Sequence, residues 1–266
     1  MTTSHGPRKR LPQNPSEENL RKQAKQLAKD EGLQLAAAQR RLAIEYGYRN
    51  WAELMRAVSS PFVPLVPLRG LVAFPHEVYP IYVGRQKSVN AIDAVAAGSR
   101  ILLLAQRDAT VAEPSPTDMY EVGTLGVIVE RQQLSDGTAK IVVEGRRRAR
   151  VTRFAFDQTL YEAEVEEVAD TERLNMQALD VGLPSSDQTK RARALIRSVH
   201  FAVLSYFRRM RTAFPFTEIE DPAVLSYVIA HHLKIEIAEQ QALLECVSPV
   251  ERLEKIFGYL EAAKAN

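Results

Sequence analysis

The stretch from Pro64 to Ser88 decides the fold and reads PLVPLRGLVAFPHEVYPIYVGRQKS. Proline lacks the backbone N–H that a sheet ladder needs, so Pro64 and Pro67 predict a strand that lies at a sheet edge. Gly84 ends a second strand just before a helix begins. The first turn of that helix has backbone N–H groups without intrahelical partners, and these groups and Lys87 suit acidic or carbonyl partners. An ordinary capped helix start explains the same residues equally well.

The sequence from Pro61 to about Val168 has the pattern of strands. Asp136 and Gly137 mark a hairpin turn, because glycine tolerates the positive φ of tight turns. One helix, over 86–97, interrupts the strands. Short strands, one helix and several turns predict a small twisted barrel or a pair of sheets. The strand-like runs are 101–105, 122–129, 141–143 and 161–166, the last alternating apolar residues with glutamates as in a half-buried edge strand.

The C-terminal part has helical periodicity after a polar connector over 170–185. A long apolar stripe predicts a helix from about Ser186 to Arg211. Asp221 followed by proline is typical of a helix start, and so is the capping box of Ser248 and Glu251. Another helix is predicted between these two starts, over 235–247. Residues 186–264 are therefore predicted to form an all-α bundle.

The N-terminal part is predicted to consist of a disordered tail over 1–15 and a leader of three short helices over 16–58. Trp51, the only tryptophan, is the expected anchor of the leader. Residues 1–58 hold 11 Lys and Arg against 6 Asp and Glu, whereas the remainder holds 24 against 27. A basic leader indicates an anionic partner, and a solvated helix face is the simpler interpretation.

A family resemblance emerges from two blocks in order. The stretch 64–88 and the stretch 118–151, DMYEVGTLGVIVERQQLSDGTAKIVVEGRRRARV, resemble the N-terminal substrate-binding domain of Lon-type ATP-dependent proteases. DPAVLSYVIAHHL at 221–233 and SPVERLEKI at 248–256 match more loosely. The resemblance implies an α+β protein: a PUA-like β pseudobarrel with one helix over 61–168, then an α-helical bundle over 186–264, preceded here by the short all-α leader.

The sequence predicts neither catalysis nor a cofactor. The motif GxxxxGK[ST] of nucleotide-binding loops does not occur, and the ATPase and peptidase of a Lon protease would lie beyond Asn266. No HExxH or CxxC motif occurs, so we expect no metal site. His231 and His232 are adjacent on a predicted helix, where their side chains point about 100° apart and cannot chelate one ion. We therefore expect a protein that is not an enzyme.

The compartment is predicted from the cysteine count and the hydropathy pattern. Cys246 is the only cysteine, which excludes an intramolecular disulfide and fits a reducing compartment. No apolar run reaches the roughly 18 residues that span a membrane, and the first residues lack the apolar stretch of a signal peptide. We expect a cytoplasmic protein without a membrane partner.

The first hypothesis, which follows from the resemblance, is recognition of unfolded or hydrophobic polypeptide segments, as an adaptor or regulator of proteolysis with a Lon-type protease as a further partner. Arg85, Gln86 and Lys87 beside the barrel are the candidate contacts. Phe74 and Tyr82 are candidate apolar contacts, and packing in the core is the alternative role for both aromatic side chains.

The second hypothesis is nucleic-acid binding. It rests on the basic leader helices, on Arg146, Arg148 and Arg150, which would share one strand face, and on the PUA-like fold, which RNA-binding domains share. The net acidic charge of the barrel and bundle argues against it. Salt separates the hypotheses, because phosphate binding weakens steeply with ionic strength and apolar capture does not.

Overall fold

The computed structural model describes residues 17–59, 62–95, 98–155, 159–171, 187–211, 219 and 221–265. The predicted tail over 1–15 lies outside these residues, as does most of the predicted connector over 170–185. In the described residues, helices come first, strands with one α-helix and one short 3-10 helix (Pro116–Asp118) follow, and helices come last. This mixed architecture confirms the predicted α+β class.

The described elements occur in an order that separates leader, barrel and bundle. The helices of the leader are α1 (Glu17–Glu31), α2 (Leu35–Glu45) and α3 (Trp51–Ser59). The barrel contains β1 (Phe62–Leu68), β2 (Val78–Val83), α4 (Gln86–Asp93), β3 (Arg100–Ala105), β4 (Val122–Gln133), β5 (Ala139–Phe154) and β6 (Glu162–Glu167). The bundle contains α5 (Asp187–Arg209), α6 (Pro222–His232), α7 (Ile237–Glu245) and α8 (Pro249–Ala265).

Five strands form a closed ring, and the sixth lies outside it. The strand order is β2-β5-β4-β3-β1-β6, and an additional pairing of β6 with β5 closes the ring. The second half of β5 pairs with β6, whereas its first half pairs with β2. β2 therefore has one strand neighbour in the described part of the chain. Where β5 pairs with β2 instead of β6, the barrel wall ends at β2 on one side and at β1 on the other, and we call the unpaired gap between these two strands the split in the barrel wall.

The sequence predicts edge positions for both β1 and β6. The prediction is wrong for β6, whereas each part of β1 has a strand partner on only one side. β6 pairs with both β1 and β5 and thereby closes the ring. β1 changes partners along its length: residues 62–64 pair with β6, and residues 65–68 pair with β3. Each half of β1 thus has one strand partner in this register, which explains how Pro64 and Pro67 are tolerated.

Two glycines allow the backbone geometry of the barrel. Gly137 has a φ of 84° in the turn between β4 and β5, as the sequence predicts. Asp136 supports this turn, because its carboxylate accepts a hydrogen bond of 2.9 Å from the Thr138 N–H. Gly145 lies under the loop before β2, where an added Cβ would be 2.5 Å from the Phe74 carbonyl oxygen. Only a residue without a Cβ lets that loop pack on β5.

The bundle and the barrel share one apolar core. Val72, Phe74, Ala105 and Val122 of the barrel belong to the same buried cluster as the inward faces of α5, α6, α7 and α8. The helices begin where the caps predict: the Asp221 carboxylate accepts from the N–H groups of Ala223 and Val224, and Ser248 Oγ accepts from the Glu251 N–H. The bundle therefore packs against the barrel and covers this part of its surface.

The leader has a separate core formed from its own residues. Buried side chains include Leu20, Leu42, Leu54 and the two tyrosines Tyr46 and Tyr48, and Trp51 is only half-buried against them. A buried hydrogen bond of 2.8 Å between the Tyr48 hydroxyl and Ser99 Oγ links this unit to the barrel. Within the described residues, no helix is long and apolar enough to cross a membrane.

Candidate functional site

The corner between β2 and α4 places the three predicted polar contacts at one side of the barrel. Arg85 precedes α4 and is half-buried, because its guanidinium donates to Gln106 Oε1 at 2.6 Å and to the Pro67 carbonyl at 3.3 Å. Gln86 is exposed and donates to Asn90 one turn later. The Lys87 ammonium lies 5.5 Å from the centre of the Tyr161 ring. Arg85 is thus braced by the barrel, whereas Gln86 reaches into solvent.

The two predicted aromatic contacts have opposite environments. Tyr82 is 69% exposed on the outer face of β2, and the Lys140 ammonium lies 6.0 Å from its ring centre. Phe74 is 0% exposed and belongs to the core that barrel and bundle share. Phe74 as a surface contact is therefore wrong, because the bundle covers the loop that carries it.

A cleft lies between β1 and β2 where the barrel wall is split. Its volume is about 430 Å³, and its lining comes from both strands and from the β2–α4 corner. The lining is mainly apolar, and its charged members are Arg69 and Arg85. Both guanidinium groups approach the Val111 carbonyl oxygen, at 3.4 and 3.5 Å. Burial, followed by the nearby charge of Arg69, lowers the pKa of Arg85.

The arginine run of β5 does not form the predicted basic face. Arg148 is 2% exposed, because β5 passes beneath the bundle at this point. A register shift beside Gly126 breaks the alternation of β5, so Arg146 and Arg147 both reach the surface. Arg148 as a nucleic-acid contact is therefore wrong, because tertiary packing buries it.

The exposed arginines of the run each have a carboxylate partner. Arg146 pairs with Glu144 at 2.6 Å, Arg147 pairs with Glu167 at 2.6 Å, and Arg150 approaches Glu121 at 3.5 Å. These partners neutralise much of the positive charge that phosphate binding needs. Arg146 and Arg150 remain accessible, but the surface around them is of mixed charge.

Arg148 instead belongs to a buried ionic cluster that joins barrel and bundle. Arg148 and Arg252 both donate to the Asp170 carboxylate, at 2.8 and 2.6 Å. Both guanidinium groups also donate to backbone carbonyls at the end of α7, including that of Cys246, and Arg252 donates to Ser226 Oγ at 2.8 Å. The Arg252 guanidinium lies 4.0 Å from the ring centre of Tyr227, whose pKa burial raises to about 12. We call these four residues, Arg148, Asp170, Tyr227 and Arg252, the junction cluster.

A second cavity, of about 520 Å³, opens beside the junction cluster. Three prolines, Pro75, Pro222 and Pro249, contribute to its walls, and His76 stacks against Tyr227 with 6.3 Å between the ring centres. Acidic and basic side chains both line it. The cavity thus has no dominant charge and follows the seam between barrel and bundle.

Two titratable groups near this seam have strongly shifted pKa values. Glu77 is 9% exposed, its Oε1 has no hydrogen-bond partner among the described residues, and burial raises its pKa to about 7. His231 Nδ1 lies 3.3 Å from the Tyr79 hydroxyl, and burial lowers the pKa of His231 to about 4. Among the residues that the structure describes, no three His, Cys, Asp or Glu side chains are placed to hold a metal ion.

Sequence reasoning missed both the junction cluster and Glu77. Asp170 opens a polar connector without periodicity, and its partners lie 22 and 82 positions away, so spacing carried no signal. Glu77 also lacked a sequence signal: it follows His76, whose φ of 67° is a left-handed conformation in the loop that enters β2 and is visible only in the structure. The sequence itself contains no glycine at that position.

Comparison with solved structures identifies the fold. The N-terminal domain of the Mycobacterium avium complex Lon protease matches 75% of this chain and 98% of that chain, with a TM-score of 0.54 and 20% identity. The Lon N-terminal domain protein from Xanthomonas campestris matches 74% and 97%, with a TM-score of 0.50 and 17% identity. The ring of strands with its docked bundle is thus the fold of Lon N-terminal domains.

Sequence comparison gives the family. The ATP-dependent protease La (LON) substrate-binding domain matches residues 63–262, and the chain belongs to this family. Lon protease 1 of Myxococcus xanthus is 38% identical over 211 residues, and the Lon protease of Azorhizobium caulinodans is 37% identical over 215 residues. These alignments cover 75% and 79% of this chain and 24% and 23% of the relatives, so the chain spans about a quarter of their length.

Proposed function

We propose that this chain binds unfolded or hydrophobic polypeptide segments without catalysing a reaction, as an adaptor or regulator of proteolysis. Membership in the Lon substrate-binding family supports a substrate-binding role. The apolar cleft between β1 and β2, with the exposed Tyr82 on its rim, is the observation that supports a binding surface at this position.

The cleft combines features that suit polypeptide capture. Val66 and Leu68 supply apolar wall, and the outer face of β2 adds the exposed Val78 and Tyr82. Exposed apolar side chains beside a concave surface bind extended segments by burying apolar area, which is insensitive to salt. Arg85, Gln86 and Lys87 at the β2–α4 corner add hydrogen-bond donors for backbone carbonyls and acidic groups.

The proposed partners are unfolded or hydrophobic segments and a Lon-type protease that degrades them. The proposed compartment is the cytoplasm, where a lone reduced cysteine such as Cys246 is stable. In this setting the chain would either deliver its bound segment to the protease or keep it from the protease.

Fluorescence anisotropy tests the proposal with the full chain, a labelled and permanently unfolded carboxymethylated protein, and single- and double-stranded oligonucleotides. We expect the unfolded protein to bind with little dependence on salt. Tyr82→Ser should weaken binding about fivefold or more, since large aromatic contacts dominate such surfaces. Ile44→Ser, which removes an exposed apolar side chain from α2, is the matched control and should leave binding unchanged. Binding of the oligonucleotides alone, or of nothing, would overturn the proposal.

A further inference from the structure

The free edge of β2 is the feature that extends the proposed function. Gly145 donates to the Glu77 carbonyl at 2.8 Å, which fixes the phase of hydrogen bonding between β2 and β5. Bonded pairs alternate in an antiparallel ladder. The backbone groups of Tyr79, Ile81 and Val83 therefore face β5. The backbone groups of Val78, Pro80 and Tyr82 face the opposite edge, with which no strand of the described chain pairs.

This edge presents two donors and three acceptors, because Pro80 lacks an N–H. The missing central donor disfavours continuous pairing between two copies of the same edge, as prolines on edge strands commonly do. It leaves the N–H and C=O groups of Val78 and Tyr82 intact, spaced four residues apart. An extended segment of another sequence can therefore pair at both ends of the strand.

The cleft lies along this edge and accepts the side chains of such a segment. Its walls come from residues 66–68 of β1 and residues 80–83 of β2. Side chains of an extended segment alternate between two faces, so every second one would enter the apolar cleft. The outer ones would lie beside Val78 and Tyr82, which are 54% and 69% exposed.

The charge of the cleft selects the chemistry of the segment. Arg69 and Arg85 line it, and no acidic side chain among the described residues does. Their guanidinium groups converge on the Val111 carbonyl, which is a neutral group. Glu113 acts on Arg85 electrostatically but does not line the cleft, so the two guanidinium groups are the charges that the cleft presents. A carboxylate is the group that such a pair of guanidinium groups attracts, whether it belongs to an acidic side chain or to a chain terminus.

We propose that β2 binds an extended polypeptide segment by strand addition, with alternate apolar side chains in the cleft and a carboxylate at Arg69 and Arg85. This inference rests on the proposed function and specifies how the segment is held. Backbone pairing supplies affinity for many sequences, and the cleft and the arginines supply selection.

The test uses the full chain and labelled ten-residue peptides that alternate valine and serine and end in aspartate. One peptide is unmodified, and a second carries N-methyl groups at alternate amides along one edge, which removes strand pairing and keeps the side chains. We expect N-methylation to weaken binding at least tenfold. Amidation of the C-terminus and replacement of the aspartate by asparagine, made separately, identify which carboxylate binds. If neither change lowers the affinity, the proposed role of the two arginines is wrong.

Matched variants test the protein side. Val78→Pro removes one outward N–H without affecting the ladder with β5, and Val78→Ala is the control that loses the same side-chain contact. We expect the proline variant to bind the unmodified peptide about tenfold more weakly than the alanine variant does. Arg69→Gln should weaken peptide binding severalfold. Arg100→Gln, which changes an exposed arginine at the start of β3, should leave peptide binding unchanged.

The outcomes separate this inference from the proposed function. If the peptide binds equally well with and without N-methylation, strand addition is wrong and polypeptide binding stands. If neither peptide nor unfolded protein binds, the proposed function itself fails. If sedimentation shows a dimer that Val78→Pro dissociates, the occupant of the edge is a second copy of this chain, and the inference is overturned.

Discussion

The bundle and the leader are both helical units on the same barrel, but they are attached in different ways. The bundle shares its apolar core with Phe74 and Val122 of the barrel. It is also held by the junction cluster, in which both arginine side chains are almost fully buried and the Asp170 side chain is partly buried. The leader packs its own core and reaches the barrel through the Tyr48–Ser99 hydrogen bond. The contrast indicates that barrel and bundle unfold together, whereas the leader unfolds separately.

Removing the shared aspartate tests the bundle attachment and has the largest expected effect. Asp170→Ala leaves two buried guanidinium groups without their carboxylate, which costs about 3 to 5 kcal/mol of unfolding free energy. Circular dichroism during urea denaturation measures the change. Asp187→Ala at the exposed start of α5 is the control and should change stability by less than about 0.5 kcal/mol. Equal stability of the two variants would show that the junction cluster does not fasten the bundle.

Opening a cavity in the leader tests whether it unfolds by itself. Leu54→Ala removes a fully buried side chain and should destabilise the leader by about 2 to 4 kcal/mol. Trp51, the only tryptophan, reports leader unfolding by fluorescence, while circular dichroism reports mainly the rest of the chain. The fluorescence midpoint should fall, and the main dichroism midpoint should stay. A parallel fall of both would mean that leader and barrel form one cooperative unit.

Changing pH sharpens the comparison, because Glu77 of the barrel and His231 of the bundle have shifted pKa values and both lie outside the leader. The pKa of Glu77 is raised to about 7, so its stabilising effect is complete below its unfolded value and is lost as pH rises through 7. Relative to the Glu77→Gln variant, the unfolding free energy of the native protein should fall by roughly 1 to 3 kcal/mol between pH 5 and pH 8. The lowered pKa of His231 acts in the opposite direction as pH falls below 6.5, and it is common to both proteins.

Urea denaturation of both proteins at several pH values measures the difference. The leader's fluorescence midpoint provides an internal control, because Glu77 lies outside the leader core. Parallel pH profiles of the native protein and the Gln variant would show that Glu77 ionises normally.

The leader's hydrogen bond has the smallest expected effect. A double-mutant cycle of Tyr48→Phe and Ser99→Ala should give a coupling energy of about 1 kcal/mol, because either single change leaves a buried hydroxyl without its partner. Tyr46→Phe with Ser99→Ala is the matched control, since the Tyr46 hydroxyl bonds to Gln23 inside the leader. Strict additivity in the first cycle would remove this contact from the account.

Local features of the fold could be predicted from sequence, because each depends on residues close in the chain. Gly137 made the hairpin turn, and Asp221 and Ser248 capped the helices where expected. Features set by packing between distant segments could not. The sequence left Phe74 open between a surface contact and a core residue, and only the position of the bundle decides for the core. Arg148 was predicted to be part of a basic face, but the bundle buries it.

The candidate site divides in the same manner. Arg85, Gln86, Lys87 and Tyr82 lie together at one corner because they follow one another in the chain. The cleft that gives the corner its shape depends on the split between β1 and β2, which arises from the way β1 changes partners. No spacing in the sequence encodes that change. Candidate contacts could thus be named from the sequence, whereas the groove beside them required the structure.

Hydrogen exchange of the full chain, with and without a saturating unfolded polypeptide, tests the central claim that the split barrel wall is the binding surface. The account predicts slower exchange at residues 65–68 and 78–83 on binding, with residues 17–59 unchanged. Slowing confined to the leader, or to Arg146–Arg150, would contradict it.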